Sequence, residues 1–109
     1  MRAIKRIYIS GPMTGLPGFN FAAFHAAAAG LRRAGFEVVN PAEVNPDPTT
    51  HRYACLRDDL ASLARCDALA LLDGWERSPG ANREVHNALA MGFVVAPLDA
   101  WLVEQVDQS

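Results

Sequence analysis

Five consecutive apolar residues, Ala68-Leu69-Ala70-Leu71-Leu72, stand between Asp67 and Asp73. An unbroken apolar run of this kind is what a strand covered on both faces looks like. Such a strand needs helices above and below it, and the rest of the chain supplies candidates. Ile4–Ser10 reads as a first short apolar strand, Phe36–Val39 as a second and Phe93–Ala96 as a fourth. Phe21, Phe24, Ala28 and Leu31 recur at helical spacing. Asn20 is the expected N-cap of that helix, Phe19 and Phe24 stand at hydrophobic-staple spacing, and Gly35 is its left-handed stop. Tyr53, Leu56, Leu60 and Leu63 mark a second helix. Pro79–Met91 is a third, closed by Gly92, and Asp99–Gln105 is a short terminal one. Asn40–Thr50 carries three prolines and reads as a long loop.

Strands thus alternate with helices along all 109 residues, with no repeat, linker or low-complexity segment. The expectation is a single domain over 1–109. Its fold class is α/β: a three-layer flavodoxin-like or Rossmann-like fold with a four- to five-stranded, mostly parallel sheet. The simplest strand order is 2-1-3-4. Winding then reverses between strands one and three, and ligands bind outside the carboxyl ends of strands at such a switch point. The loops Ser10–Gly18 and Asp73–Ser78 fall there.

Composition removes several function classes. Twelve acids against ten bases give a formal charge of −2. Without a Lys/Arg stripe, the electrostatic footprint of a duplex nucleic-acid binder is missing. No apolar run reaches the roughly 18 residues that span a bilayer. The basic N-terminus leads straight into a strand and does not read as a signal peptide, so a cytoplasmic protein is expected. Cys55 and Cys66 lie eleven positions apart without a CxxC, and read as buried thiols. His25, His51 and His86 are scattered. Neither a metal nor a cofactor is expected.

The candidate site lies in Ser78-Pro79-Gly80-Ala81-Asn82-Arg83-Glu84. Ser78 followed by Pro79 is an N-cap and N1 pair. Helix-start amides near Gly80 and Ala81 suit an anion, and Gly80 permits close approach. On a helical wheel the apolar positions Ala81, Val85, Ala88, Leu89 and Met91 centre about 65° from Glu84, while Arg83 points away. Glu84 therefore borders either the core or the crevice; the alternative is a flank carboxylate near a positive helix end. On the second helix Asp58 lies opposite the apolar side and Asp59 about 80° off its centre, so Asp59 is the acid that can reach a pocket. Tyr8 alternates with Ile7 and Ile9 and is either core or a polar tip at the loop. Asp73 stands where a sugar hydroxyl can bond to it. Trp75 is either a stacking aromatic or a lid on the core. Asp67 begins its strand at the opposite end and reads as structural.

These pieces together resemble the nucleoside 2-deoxyribosyltransferase superfamily. The carrying segments are Ile7-Tyr8-Ile9-Ser10-Gly11-Pro12-Met13, Arg57-Asp58-Asp59-Leu60, Cys66-Asp67-Ala68-Leu69 and Ser78-Pro79-Gly80-Ala81-Asn82-Arg83-Glu84, with Ala88 and Gly92 following. The resemblance covers nearly the whole chain in order and looks closest to a small, often phage-encoded branch. It implies that Glu84 is a nucleophile attacking the anomeric carbon, that Asp59 handles protonation or orientation of the base, and that Tyr8 positions the nucleophile. Ser10, Gly11, Pro12, Met13, Asp73, Trp75, Ser78, Gly80 and Ala81 are the expected substrate-binding residues. The transferases that act on free nucleosides have an aspartate six residues before the nucleophile, where Ser78 stands here. The related deoxynucleoside 5′-monophosphate N-glycosidases have a serine there, which contacts phosphate. A serine at a helix N-terminus welcomes a phosphate that an aspartate would repel. In the transferases a neighbouring subunit's C-terminal segment completes the site; this chain is short at that end, a second departure from the pattern.

The expected function is therefore cleavage or transfer of the N-glycosidic bond of a (deoxy)nucleotide or nucleoside, in a homo-oligomer of two or more subunits. The alternatives are a non-catalytic nucleotide or nucleotide-sugar binding module, and a structural protein on an inherited fold.

Overall fold

The buried run becomes the centre of the sheet. In the computed structural model, which describes Ile4, residues 6–44 and residues 61–107 (side chains to Leu102), four strands lie side by side. They are β1 (Arg6–Ser10), β2 (Glu37–Val39), β3 (Ala68–Leu71) and β4 (Val94–Pro97). Their order is β2-β1-β3-β4 and every pairing is parallel. The expected order and α/β architecture are thus observed, with strand limits moved by a residue or two. All four residues of β3 are buried, whereas β2 and β4 at the edges are not. Pro97 is tolerated at the end of β4 because an edge strand has one side free of ladder bonds.

The helices are α1 (Phe21–Arg33), α2 (Pro41–Val44), α3 (Pro79–Ala90) and α4 (Leu98–Asp107). Period-two alternation along β1 and β3 divides the core between the two faces of the sheet. Ile7, Ile9, Ala68 and Ala70 pack with Phe24, Ala27, Ala28 and Leu31 of α1 and with Trp101 of α4. Tyr8, Leu69 and Leu71 pack on the other face with Ala88 of α3 and with Leu63 and Cys66. Burying a side chain such as Phe24 or Leu31 contributes roughly 1.5–3 kcal/mol. Trp101 is also pinned by its indole N–H, which lies 3.3 Å from the Ala96 carbonyl oxygen and 3.4 Å from that of Leu69. Of the expected second helix, residues 61–63 are helical. Tyr53, Leu56, Asp58, Asp59 and Leu60 lie outside the described residues.

Three local expectations are corrected. Asn20 does not cap α1: its backbone is left-handed (φ 61°), and its Nδ2 donates to the Pro12 carbonyl at 3.0 Å. The chain enters α1 through a tight turn, Pro17–Asn20, with Gly18 and Phe19 also left-handed. Phe19 is exposed, and its ring meets Phe21 at 6.4 Å. The expected loop after β2 begins instead with the helical turn α2. Asn40 caps it, accepting from the Ala42 N–H at 3.0 Å, while Pro41 takes the first helical position. Finally, Leu89 and Met91 are exposed. The buried line of α3 is Ala81, Glu84 and Ala88, turned further toward Glu84 than the wheel indicates. The expected stops hold: Gly35 (φ 100°) ends α1 and Gly92 (φ 80°) follows α3.

Candidate functional site

The site is built where α3 crosses the carboxyl end of β1. Side chains at i and i+2 of a strand share a face, so Tyr8 and Ser10 point together at α3. Glu84 meets them there with 9% of its surface exposed. The Tyr8 hydroxyl donates to Glu84 Oε2 at 2.7 Å, and the Ser10 hydroxyl donates to Oε1 at 2.6 Å. Each carboxylate oxygen thus has a donor of its own. These lengths are those of charge-assisted O–H···O bonds. Burial pushes the Glu84 carboxyl above its ordinary value, and the Ser10 and Tyr8 hydroxyls oppose that rise only in part.

The start of α3 is fixed as its sequence requires. Ser78 Oγ accepts from the Ala81 N–H at 3.2 Å. Gly80 is exposed in the first turn, where helix N–H groups have no intrahelical acceptor. Ala81 turns its methyl into the core. The two switch-point loops also meet: a Cβ on Gly74 would lie 3.4 Å from Pro12 Cγ. Gly11 has a packing reason for lacking a side chain, since a Cβ there would approach Leu72 Cβ to 2.7 Å.

A model of a domain of unknown function, DUF4406, matches residues 5–96. The chain belongs to the DUF4406 family. The match includes β1, β2, β3, α1, α2, α3 and all of β4 but Pro97, and hence Tyr8, Ser10, Ser78 and Glu84; α4 follows it. A search of curated proteins found no match.

Within the DUF4406 fold the other candidate residues fall into separate places. Trp75 is half-buried against the second core, on the same face as Val85 of α3. Met13 is partly buried against the first core. Ser10 has no exposed surface, and its hydroxyl is held on Glu84. Asp73 is exposed and lines a cavity of about 360 Å³ with Asn20, Ala27, Leu98, Asp99 and Leu102. That cavity opens between α1 and α4, on the sheet face opposite Glu84. Asp59 lies outside the described residues. Asp67, expected to be structural, accepts from the Arg6 N–H at 3.1 Å. Among the described residues no group of three or more His, Cys, Asp or Glu could hold a metal ion, and no helix is long and apolar enough to cross a membrane.

Sequence reasoning missed Asn82. Its amide reaches the carbonyls of Glu76 and Ser78, each at 2.9 Å, and that of Trp75 at 3.4 Å. It thereby ties the Trp75–Arg77 turn to the first turn of α3. The signal was an amide side chain four residues after the N-cap, facing back along the helix toward the loop.

Proposed function

We propose that this DUF4406 protein cleaves or transfers the N-glycosidic bond of a (deoxy)nucleotide or nucleoside, with Glu84 as nucleophile. The observation that carries the reading is a buried carboxylate at a switch point, with both oxygens held by hydroxyls. The resemblance to the nucleoside 2-deoxyribosyltransferase superfamily supplies the reaction. An oxygen of Glu84 bonds to the anomeric carbon as the C–N bond breaks. The electron pair leaves with the base, which takes a proton from an acid; the resemblance gives that role to Asp59. Water, or a second base, then attacks the anomeric carbon and frees the Glu84 carboxylate. A buried carboxylate suits this work because water does not compete for the forming bond and the developing positive charge on the sugar is close to it.

A 5′-phosphate on the substrate is favoured by Ser78. A hydroxyl cap at a helix start adds no negative charge, so the Gly80 N–H and the helix dipole are left to an anion. A dimer or higher assembly is part of the same reading, and light scattering checks it. The test of function is direct. Incubation with deoxynucleoside 5′-monophosphates, followed by chromatography, should show free base, and Glu84→Ala should abolish it. Binding without turnover would favour a nucleotide-binding module instead.

A further inference from the structure

We propose that Ser10 is a second positioning residue for Glu84, equal in rank to Tyr8, and that it acts on the carboxylate and not on the substrate. The proposal rests on the reading of Glu84 as the nucleophile. Its geometry is independent of that reading.

Ser10 has no exposed surface, so its hydroxyl has no route to a ligand in this structure. It lies 2.6 Å from Glu84 Oε1, slightly closer than Tyr8 lies to Oε2. A carboxylate held at one oxygen can still swing about its last torsion. Donors at both oxygens fix its plane. The two donors come from one strand and one face, so they move together with β1.

Ser10 is itself rigid. Its carbonyl accepts from the Leu72 N–H at 2.9 Å, and it stands in register with Leu71. The next residue, Gly11, packs so closely on Leu72 that a methyl there would collide. The Ser10 hydroxyl is therefore delivered by the most buried pair of strands in the sheet. Preorganisation of this sort lowers the cost of reaching the reactive geometry.

Among the described residues few other ionisable groups bear on Glu84. Of those on the elements packed against α3, Tyr8 on β1 touches it. Cys66 lies buried just before β3, while Asp73, Glu76 and Arg77 in the loop before α3 are exposed. On α3 itself Arg83 and His86 are exposed. Among the described residues, hydroxyl donors thus carry the stabilisation of the ionised form, and the Ser10 and Tyr8 bonds both oppose the effect of burial.

Two readouts test this. Carbon-13 NMR of labelled glutamate carboxyls, assigned with Glu84→Gln, follows Glu84 without any need for turnover. Ser10→Ala should move its titration to higher pH, and Ser10→Thr should move it back. In the base-release assay Ser10→Ala should lower kcat roughly ten- to a hundredfold, the size of a lost hydrogen bond to a charged group, with KM little changed. The acid limb of the pH–rate profile should shift up in the same variant. An unchanged Glu84 titration in Ser10→Ala overturns the proposal, and so does a shifted titration with an unchanged rate. If the wild-type protein releases no base, the glycosidase reading fails while the titration still decides the contact. Should Ser10→Ala not fold, Ser10→Cys, similar in size and a weaker donor, gives the same readouts.

Discussion

The Tyr8 hydroxyl donates to Oε2 of Glu84 at 2.7 Å across 76 residues of chain, joining β1 to α3 inside the second core. This bond and its Ser10 counterpart do not cancel the penalty of burying the carboxylate, whose pKa stays raised. The sign of the linkage follows. Between its unfolded and folded pKa values, Glu84 binds more protons in the folded state, so its contribution to stability falls as pH rises through that window. Glu84→Gln removes the charge and keeps the shape. Chemical denaturation should show the variant gaining on the wild type from the ordinary glutamate range upward, then levelling above the folded pKa. A difference between the two proteins that does not change with pH would rule this out.

Cys66 gives a second pH-dependent outcome. Burial pushes its thiol up to about 11, and its Sγ lies 3.5 Å from the Ser62 carbonyl. The thiolate is the reactive form. In a Cys55→Ser background the native protein should resist alkylation near pH 8, and denaturant should expose one reactive thiol. Rapid labelling of the native protein would contradict the burial described here.

The topology was legible because the apolar runs are short and bounded: Ala68–Leu72 lies between acids, and Gly35 and Gly92 mark helix ends by backbone requirement alone. Side-chain partners were less so. The two-residue period puts Tyr8 and Ser10 on one face but does not say that α3 brings a carboxylate to both. The wheel brought Glu84 only to the margin of the buried stripe, because it counted apolar positions alone, and Glu84 is itself a member of that stripe with Ala81 and Ala88. Asn40-Pro41 carries a helix-start signal that the prolines around it concealed. Asn20 shows the opposite failure: the residue type suits a cap, but its left-handed backbone turns the amide to Pro12.

Asn82 should matter for the site through stability. One amide serves the carbonyls of Trp75 and Glu76 in the turn and that of Ser78 at the helix start. Its bonds are exposed, so truncation loses modest hydrogen bonds and buries no orphan. Asn82→Ala should cost about 1 kcal/mol in denaturant unfolding. Because the Trp75–Arg77 turn is no longer tied down, Trp75 fluorescence should change before global unfolding. A single unchanged transition by both fluorescence and circular dichroism would show that the turn is held by other contacts.

Ser78 separates capping from ligand choice. Its hydroxyl accepts from the Ala81 N–H, and aspartate performs that capping role equally well. Ser78→Asp should therefore leave the unfolding free energy close to wild type, whereas Ser78→Ala should lower it by about 1 kcal/mol. The effect on substrate should run differently. A carboxylate at the start of α3 places a negative charge where the proposed 5′-phosphate meets the helix amides, and like charges at close range repel by several-fold or more in affinity. Base release from a 5′-monophosphate should then fall in Ser78→Asp relative to release from the corresponding nucleoside. The ratio of the two kcat/KM values measures this free of any shared loss of folding. Ser78→Ala should leave that ratio nearer to wild type, since it adds no charge. If Ser78→Asp changes both substrates in equal proportion, the phosphate does not sit at this helix end, and Ser78 serves α3 as a cap alone.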